Sequence, residues 1–157
     1  MAYFAAVFTR GADGWTGTEV DLDVESVDDV ADIMRDHAAD GETVVLFTEE
    51  DDEWFAVVRL DADEPRAFIS DTRAPLTSHY AEVLVEVPGE EPVEDDEGEG
   101  GRGVGGEPGG DDELLTDLGV APTLLHDVST REGLLPGDAL LEIAESLGCG
   151  DAYERLR

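Results

Sequence analysis

The chain has 157 residues and a formal net charge of -32 at pH 7, and all nine of its basic residues are arginine. This length accommodates one ordinary domain, or one small domain with a smaller appendage. Direct binding to nucleic acid or to an anionic membrane is disfavoured, because both depend on basic side chains that neutralise phosphate. Composition leaves two explanations of the acidity open, a functional surface or the adaptation of a salt-adapted or GC-rich source.

The cysteine content and the first residues indicate the compartment. The single cysteine, Cys149, excludes an intramolecular disulfide and a cysteine-based zinc cluster. The opening MAYFAAVFTR has no basic residue ahead of its short apolar run, and it does not approach the roughly 18 apolar residues of a membrane span. We therefore expect a soluble, cytoplasmic protein.

Two apolar runs separated by a polar loop predict a β-hairpin in the stretch ETVVLFTEEDDEWFAVVRL, residues 42–60. The first run, 43–47, is apolar on both alternating faces and is therefore predicted to be a central strand. The second run, 54–60, alternates between two faces and is expected to turn partly outward at Arg59. The loop at 48–53 ends in five consecutive carboxylates, a concentration of charge that requires solvent or a basic partner.

The residues before this hairpin predict two strands and one helix. Tyr3–Thr9 and Trp15–Leu22 have the composition and alternation of strands, and the turn between them makes them a hairpin. Ser26 is a predicted helix N-cap, and Gly41 is expected to follow the end of that helix. The apolar residues of the helix recur on one stripe, at Val27, Val30, Ala31, Met34 and Ala38.

After the central hairpin the pattern predicts a short strand at 66–70 and a second helix at 73–87. The order β-β-α-β-β-β-α over residues 1–88 indicates an α+β domain with helices packed on a largely antiparallel sheet. Longin-like and roadblock-like domains have the same order of elements and serve as binding or dimerising platforms. This is a likeness of topology alone, and topology does not determine function.

Composition changes abruptly after this domain, and we predict a disordered, acidic, glycine-rich linker at 89–112. Nine of the eighteen glycines lie between Gly89 and Gly110, together with the acidic block Glu94–Glu97. Such a segment cannot form an apolar core and repels itself electrostatically. The parts on either side of it are therefore expected to move independently.

The C-terminal region, 113–157, predicts a small helical bundle. Apolar residues cluster before Gly119, after Pro122 and between Pro136 and Gly148, and these prolines and glycines occupy ordinary helix start and stop positions. A bundle of about forty-five residues is near the lower limit for independent folding. We expect it to need the N-terminal domain or a partner.

No catalytic, cofactor-binding or metal-binding constellation is predicted. His37, His79 and His126 lack the spacing of metal ligands, and a position at a helix C-terminus is expected to raise the pKa of the Cys149 thiol. The acidic clusters lack the spacing of an EF-hand loop, and the linker glycines have no preceding strand and no following lysine. The sequence therefore predicts a protein that is not an enzyme.

A candidate protein-docking stretch remains, in which an acidic loop precedes two aromatic residues. In the functional interpretation the carboxylates steer a basic partner and a ring anchors it. In the alternative interpretation the two adjacent rings are buried on opposite faces of their strand. The residues are Glu49, Glu50, Asp51, Asp52, Glu53, Trp54 and Phe55.

Four segments of the chain resemble the bacterial tRNA adenosine deaminase-associated proteins. They are MAYFAAVFTRGADGWTGTEVDLD, DDEWFAVVRLD, LLTDLG and EGLLPGDALLEIAESLG. The resemblance covers essentially the whole chain apart from the predicted linker, and its motifs are structural rather than catalytic. It implies a link to the zinc enzyme that converts adenosine to inosine at the wobble position of tRNA, and it supplies no functional residues to transfer.

The chain does not have the motifs of that deaminase. The reaction needs a zinc-activated water, held through an H-x-E segment and a P-C-x-x-C segment. None of the three histidines is followed by Glu at the required spacing, and one cysteine cannot supply a pair. We therefore expect a non-catalytic accessory protein that binds a protein partner, with the deaminase as the first candidate. The alternative is a homodimeric longin-like or roadblock-like scaffold that self-associates through residues 54–60 or the first helix.

Overall fold

The computed structural model describes residues 3–11, 14–20, 27–37, 43–50, 54–61, 64–71, 108–110, 113–131 and 133–156. Within these ranges an antiparallel sheet is formed by β1 (Tyr3–Gly11), β2 (Gly14–Glu19), β3 (Thr43–Glu50), β4 (Trp54–Asp61), β5 (Glu64–Ile69) and β6 (Gly109–Gly110). The helices are α1 (Val27–His37), α2 (Pro122–Thr130), α3 (Pro136–Leu147) and α4 (Gly150–Leu156), with a 3-10 helix at Thr116–Leu118. The α+β class is confirmed.

The strand order is β2-β1-β3-β4-β5-β6, so the first hairpin lies beside the central one. β3 pairs with β1 on one side and β4 on the other, which confirms the prediction of a central strand. The apolar residues on both faces of β3 explain this position, because each face is covered by a different helical layer. The order β-β-α-β-β-β is confirmed, whereas the predicted helix at 73–87 lies outside the described residues, so the longin-like order stays a prediction.

Helix α1 covers one face of the sheet. Its buried residues Val30, Ala31 and Met34 belong to the predicted apolar stripe and pack with sheet residues of the same alternating set. The opposite side of α1 is exposed and acidic, and its Asp32 forms an ion pair with Arg35 at 2.8 Å. The helix is therefore amphipathic, as its 3.6-residue periodicity predicts.

The C-terminal helices cover the other face of the sheet. Leu125, Leu140 and Ile143 from α2 and α3 share one buried cluster with Phe8 and Phe47 of the sheet. This packing contradicts the expectation that the parts flanking the linker move independently, because they bury one common hydrophobic core. The division into segments 1–88, 89–112 and 113–157 remains a prediction from composition.

Helix α4 was not predicted, and it fixes the outer strand β2 to this core. Its Tyr153 ring lies within aromatic contact distance of Phe4, Phe8 and Phe47, with centroid separations of 5.7, 6.3 and 6.1 Å. On β2, a Cβ at Gly17 would lie 2.6 Å from the Phe8 ring and 3.2 Å from Leu156. Glycine is therefore required there, since the strand approaches both side chains closely.

Two segment boundaries differ from the prediction, and strand pairing explains both. β3 continues to Glu50 instead of ending at Phe47, because Tyr3, Phe4 and Ala5 of β1 pair with its last three residues. The predicted disordered linker includes a short ordered strand, since Gly109 and Gly110 pair with Ile69 and Phe68. The linker residues 89–107 and 111–112 lie outside the described residues.

Candidate docking surface

The acidic stretch begins inside the sheet rather than in a solvated loop. Glu49 and Glu50 end β3 and are each only 6% exposed. Asp51, Asp52 and Glu53 lie outside the described residues. The five consecutive carboxylates are therefore divided, with two built into the strand end and three in the connection to β4.

The two aromatic residues of the stretch begin β4 and point to opposite sheet faces. Trp54 is 3% exposed and joins the α1 cluster, whereas Phe55 is 2% exposed and joins the cluster under the C-terminal helices. The Phe55 backbone N–H donates to Ser70 Oγ at 2.9 Å, and the Ser70 N–H donates to the Phe55 carbonyl at 2.9 Å. The burial of both rings and these two hydrogen bonds hold the start of β4 in place. Docking by this stretch stays a prediction.

Negative charge dominates the surface of the described residues. Eleven carboxylates are exposed, against four exposed arginines, Arg10, Arg35, Arg131 and Arg155. Arg131 is already bonded within the fold, to Asp127 and to Glu142. The exposed carboxylates are Glu19, Asp28, Asp32, Asp36, Glu113, Asp117, Asp127, Asp138, Glu145, Asp151 and Glu154.

The prediction that β4 turns partly outward at Arg59 is wrong. The Arg59 side chain is 8% exposed, and Nη1 donates to Asp117 Oδ1 at 2.6 Å and to the Leu114 carbonyl at 2.8 Å. Nη2 donates to Asp117 Oδ2 at 3.1 Å, which makes the ion pair bidentate. This contact joins β4 to the segment before α2. In the sequence, the only indication of this buried ion pair is that Arg59 is a single charged residue among the apolar neighbours of its strand.

The Arg59 guanidinium lowers the pKa of its partner, Asp117. Its hydrogen bonds to the Asp117 carboxylate lower the pKa of that group, and its charge and that of Arg66 act in the same direction. Partial burial opposes the shift but is outweighed. Asp117, whose side chain is 66% exposed, therefore stays ionised to a lower pH than an ordinary aspartate does.

The histidines do not converge on a site. The His37 ring Nδ1 hydrogen-bonds the Ile33 carbonyl of its own helix at 2.9 Å, and the His126 ring lies edge-on to Phe68 with centroids 6.0 Å apart. His79 lies outside the described residues. In the part of the chain that the structure describes, no three His, Cys, Asp or Glu side chains lie together where they would hold a metal ion.

Cys149 lies between α3 and α4, and its thiol is buried. Burial raises the pKa of the Cys149 thiol to about 12. The direction agrees with the sequence prediction but the main cause differs, because desolvation, and not the end of a helix, dominates. Cys149 directly precedes α4, and its carbonyl accepts a hydrogen bond from the Tyr153 N–H of that helix at 2.9 Å.

Cys149 is expected to resist alkylation while the protein is folded. At pH 8 the raised pKa leaves a thiolate fraction roughly a thousandfold below that of an unfolded cysteine, so iodoacetamide should react slowly. The rate can be followed by mass spectrometry in buffer and in urea. Equal rates in the two solutions would show that the thiol is accessible and ionised in the native protein.

No helix in the described ranges is long and apolar enough to cross a membrane.

Comparison with known proteins identifies a family but no individual relative. No curated protein and no solved structure matches the chain. One family model, described as Rv3753c-like tRNA adenosine deaminase-associated protein, matches residues 3–150. Because that match spans nearly the entire sequence, the chain belongs to the family of Rv3753c-like tRNA adenosine deaminase-associated proteins.

Proposed function

We propose that this protein is a non-catalytic accessory protein that binds the tRNA adenosine deaminase through an acidic surface. The observation that supports the proposal most directly is the excess of exposed carboxylates, in a chain whose family is described as deaminase-associated. The sequence lacks the paired cysteines of the zinc deaminases. Its contribution would therefore be to binding and not to chemistry.

Electrostatics supplies the mechanism. An enzyme that binds tRNA needs arginine or lysine side chains facing the phosphates. A protein with a net charge of -32 is attracted to the same side chains and is guided to them before contact. Binding would compete with tRNA, or would keep the free enzyme soluble, and both effects would weaken as salt rises.

Within the candidate docking stretch, we assign the contacts to Asp51, Asp52 and Glu53. Glu49 and Glu50 are too buried to meet a partner directly, and Trp54 and Phe55 fill the two faces of the sheet. The buried residues would fix the ends of β3 and β4 on either side of these three carboxylates. This division of roles refines the expectation that all seven residues contact the partner.

The first test is size-exclusion chromatography with light scattering on this protein, on the deaminase from the same source, and on their mixture. A co-eluting species that dissociates between about 50 and 300 mM salt is expected for electrostatic binding. Inosine formation is then measured over a range of tRNA concentrations. A complex that leaves inosine formation unchanged at every salt and tRNA concentration would overturn the accessory function, and a homodimer without a complex would favour a scaffold.

The assignment of binding to Asp51, Asp52 and Glu53 is tested by charge reversal with a matched control. Asp51→Lys/Asp52→Lys is expected to weaken binding to the deaminase about tenfold or more at low salt, because like charges would face the partner. Glu145→Lys/Glu154→Lys changes the net charge equally on exposed positions of α3 and α4. Equal weakening by both variants, measured by calorimetry, would show that net charge, and not the position of these carboxylates, determines binding.

A further inference from the structure

Leu135 is the one large hydrophobic side chain that the described part of the chain leaves exposed. It lies directly before α3 and is 51% exposed, whereas Leu134 is half-buried against the core of the C-terminal helices and Pro136 is buried. A single exposed leucine is ordinary on a protein surface, so its exposure alone assigns it no role. Its position at the start of a helix and the charges around it are more informative.

Leu135 occupies the N-cap of α3, a position at which leucine is disfavoured. Its backbone has φ -77° and ψ 154°, and its side chain makes no capping hydrogen bond. Serine, threonine, aspartate or asparagine would accept a bond from the first N–H groups and stabilise the helix. α2 also begins without a side-chain cap, at Ala121, but alanine exposes little apolar surface. Sequences break such local preferences mainly at functional sites, which favours a binding role for this leucine.

Negative charge surrounds this leucine. Three carboxylates lie on the helices at either side of it, namely Asp127, Asp138 and Glu142. Arg131 binds the first and the last of them. Its carbonyl also accepts from the Leu134 N–H at 3.3 Å, so the cluster lies beside Leu135. With three carboxylates against one arginine, the surroundings of the leucine are negatively charged.

Contacts on both sides of Leu135 hold its backbone in a defined place. Arg131 joins the end of α2 to α3 through its two carboxylate partners. Gly133 makes the turn between the helices with φ 83°, a left-handed conformation that suits glycine. In the first turn of α3, the Gly137 carbonyl accepts from the Tyr153 hydroxyl at 2.9 Å. A side chain presented on a fixed segment binds with a smaller loss of conformational entropy.

Charge determines which partner fits this surface. A second copy of the chain would bring the same carboxylates and a net charge of -32 to the contact, and like charges repel. A partner that carries arginine or lysine around an apolar recess is complementary, because the recess takes the leucine and the basic side chains face the carboxylates. An enzyme that binds tRNA has such basic side chains facing the phosphates.

We propose that Leu135 is the apolar anchor of a binding surface at the start of α3, and that it enters an apolar recess of the tRNA adenosine deaminase bordered by basic side chains. The inference rests on the proposed function for the identity of this partner. It adds a second contact region, on the C-terminal helices, to the carboxylates at 51–53. It also assigns an apolar contribution to a complex that is otherwise guided by charge.

Leu135→Ser, with Ala121→Ser as the matched control, tests the anchor. Each variant places a capping serine at the start of a helix, so each should keep the thermal midpoint or raise it by up to about 4 °C. Calorimetry at low salt should show that Leu135→Ser weakens binding to the deaminase about tenfold or more, and that Ala121→Ser does not.

The outcomes separate this inference from the proposed function. A complex with equal affinity for both variants and the unmodified chain would overturn the inference and leave the proposed function standing. Absence of a complex with the unmodified chain would overturn both. A lower thermal midpoint for Leu135→Ser than for the unmodified chain would assign the leucine to the stability of the fold and contradict the inference.

Salt dependence and hydrogen–deuterium exchange provide independent readouts. The loss caused by Leu135→Ser should be the same at about 50 and 300 mM salt because the contact is apolar, whereas the loss caused by Asp51→Lys/Asp52→Lys should shrink. Amides at 133–139 should exchange more slowly when the full chain is mixed with the deaminase. Unchanged exchange there in a formed complex would contradict binding at α3. Protection that rises with the concentration of the chain alone would identify a second copy as the occupant instead.

Discussion

Tyr153→Ala is expected to reduce the free energy of unfolding by about 3–5 kcal/mol, the usual cost of truncating a large buried aromatic residue. The ring joins α4 to three phenylalanines, Phe4, Phe8 and Phe47, and the hydroxyl donates to the Gly137 carbonyl at 2.9 Å. Urea denaturation, followed by fluorescence and by far-UV circular dichroism, measures the effect. Because sheet and helices share this cluster, both probes should report a single transition shifted to lower urea.

Tyr153→Phe is the control for this prediction. It keeps the ring and removes the hydrogen bond, so a loss of only about 1 kcal/mol is expected. Two separate transitions in the unmodified protein, with only one of them moved by Tyr153→Ala, would show that the C-terminal helices unfold independently of the sheet. That result would contradict the common core.

The second large effect is expected at the ion pair between Arg59 and Asp117. Asp117→Ala should cost about 2 kcal/mol, because it removes two hydrogen bonds from a nearly buried guanidinium. This cost in unfolding free energy is lower than that expected for a fully buried pair. The Asp117 side chain is 66% exposed, so water can replace part of the hydrogen bonding that the substitution removes. Arg59→Met should cost about 1–2 kcal/mol, as it also removes a donor from the Leu114 carbonyl.

A double-mutant cycle isolates the interaction itself. The cycle combines Arg59→Met, Asp117→Ala and the double variant, and we expect a coupling energy of about 1–2 kcal/mol from urea denaturation. The matched exposed pair, Arg35 with Asp32, should give less than about 0.5 kcal/mol. Indistinguishable coupling energies for the two pairs would show that the contact between β4 and Asp117 contributes no more than a surface pair.

The contribution of Asp117 should also depend on pH. The Arg59 guanidinium lowers the pKa of Asp117 below the ordinary value of 3.8, so its contribution is fully present above that value and is lost as the pH falls through the lower folded-state pKa. The difference in unfolding free energy between the unmodified protein and Asp117→Asn should therefore decrease below about pH 4. A difference that is constant from pH 7 to pH 3 would contradict the ionised pair.

Local patterns predicted the strands and helices correctly where the apolar residues follow one clear periodicity, either the alternation of a strand or the stripe of a helix. The alternation in β4 correctly divides Trp54 from Phe55, and the helical stripe in α1 correctly identifies Val30, Ala31 and Met34 as buried. Boundaries were less accurate where polar residues continue a strand. Glu49 and Glu50 were predicted to lie in a loop because their side chains are charged. Their backbone nevertheless belongs to the strand, because it pairs with β1.

The candidate site was only partly predictable. The carboxylates and aromatic rings were identified from their order in the chain, but the burial of Trp54 and Phe55 depends on layers contributed by distant residues. Asp117 lies 58 residues after Arg59, so no local pattern links them. α4 is seven residues long and begins at a glycine, which leaves little helical periodicity to recognise.

Composition and short-range periodicity are local properties, and they were enough to predict the class of elements, the excess negative charge, the absence of the deaminase motifs and the family resemblance. Long-range packing was needed to reveal that the C-terminal helices and the sheet form one core, that Arg59 binds Asp117, and that β2 lies at the edge of the sheet. These features depend on which distant segments meet. That choice follows from the total apolar surface buried and the polar groups satisfied, which no single stretch of sequence specifies.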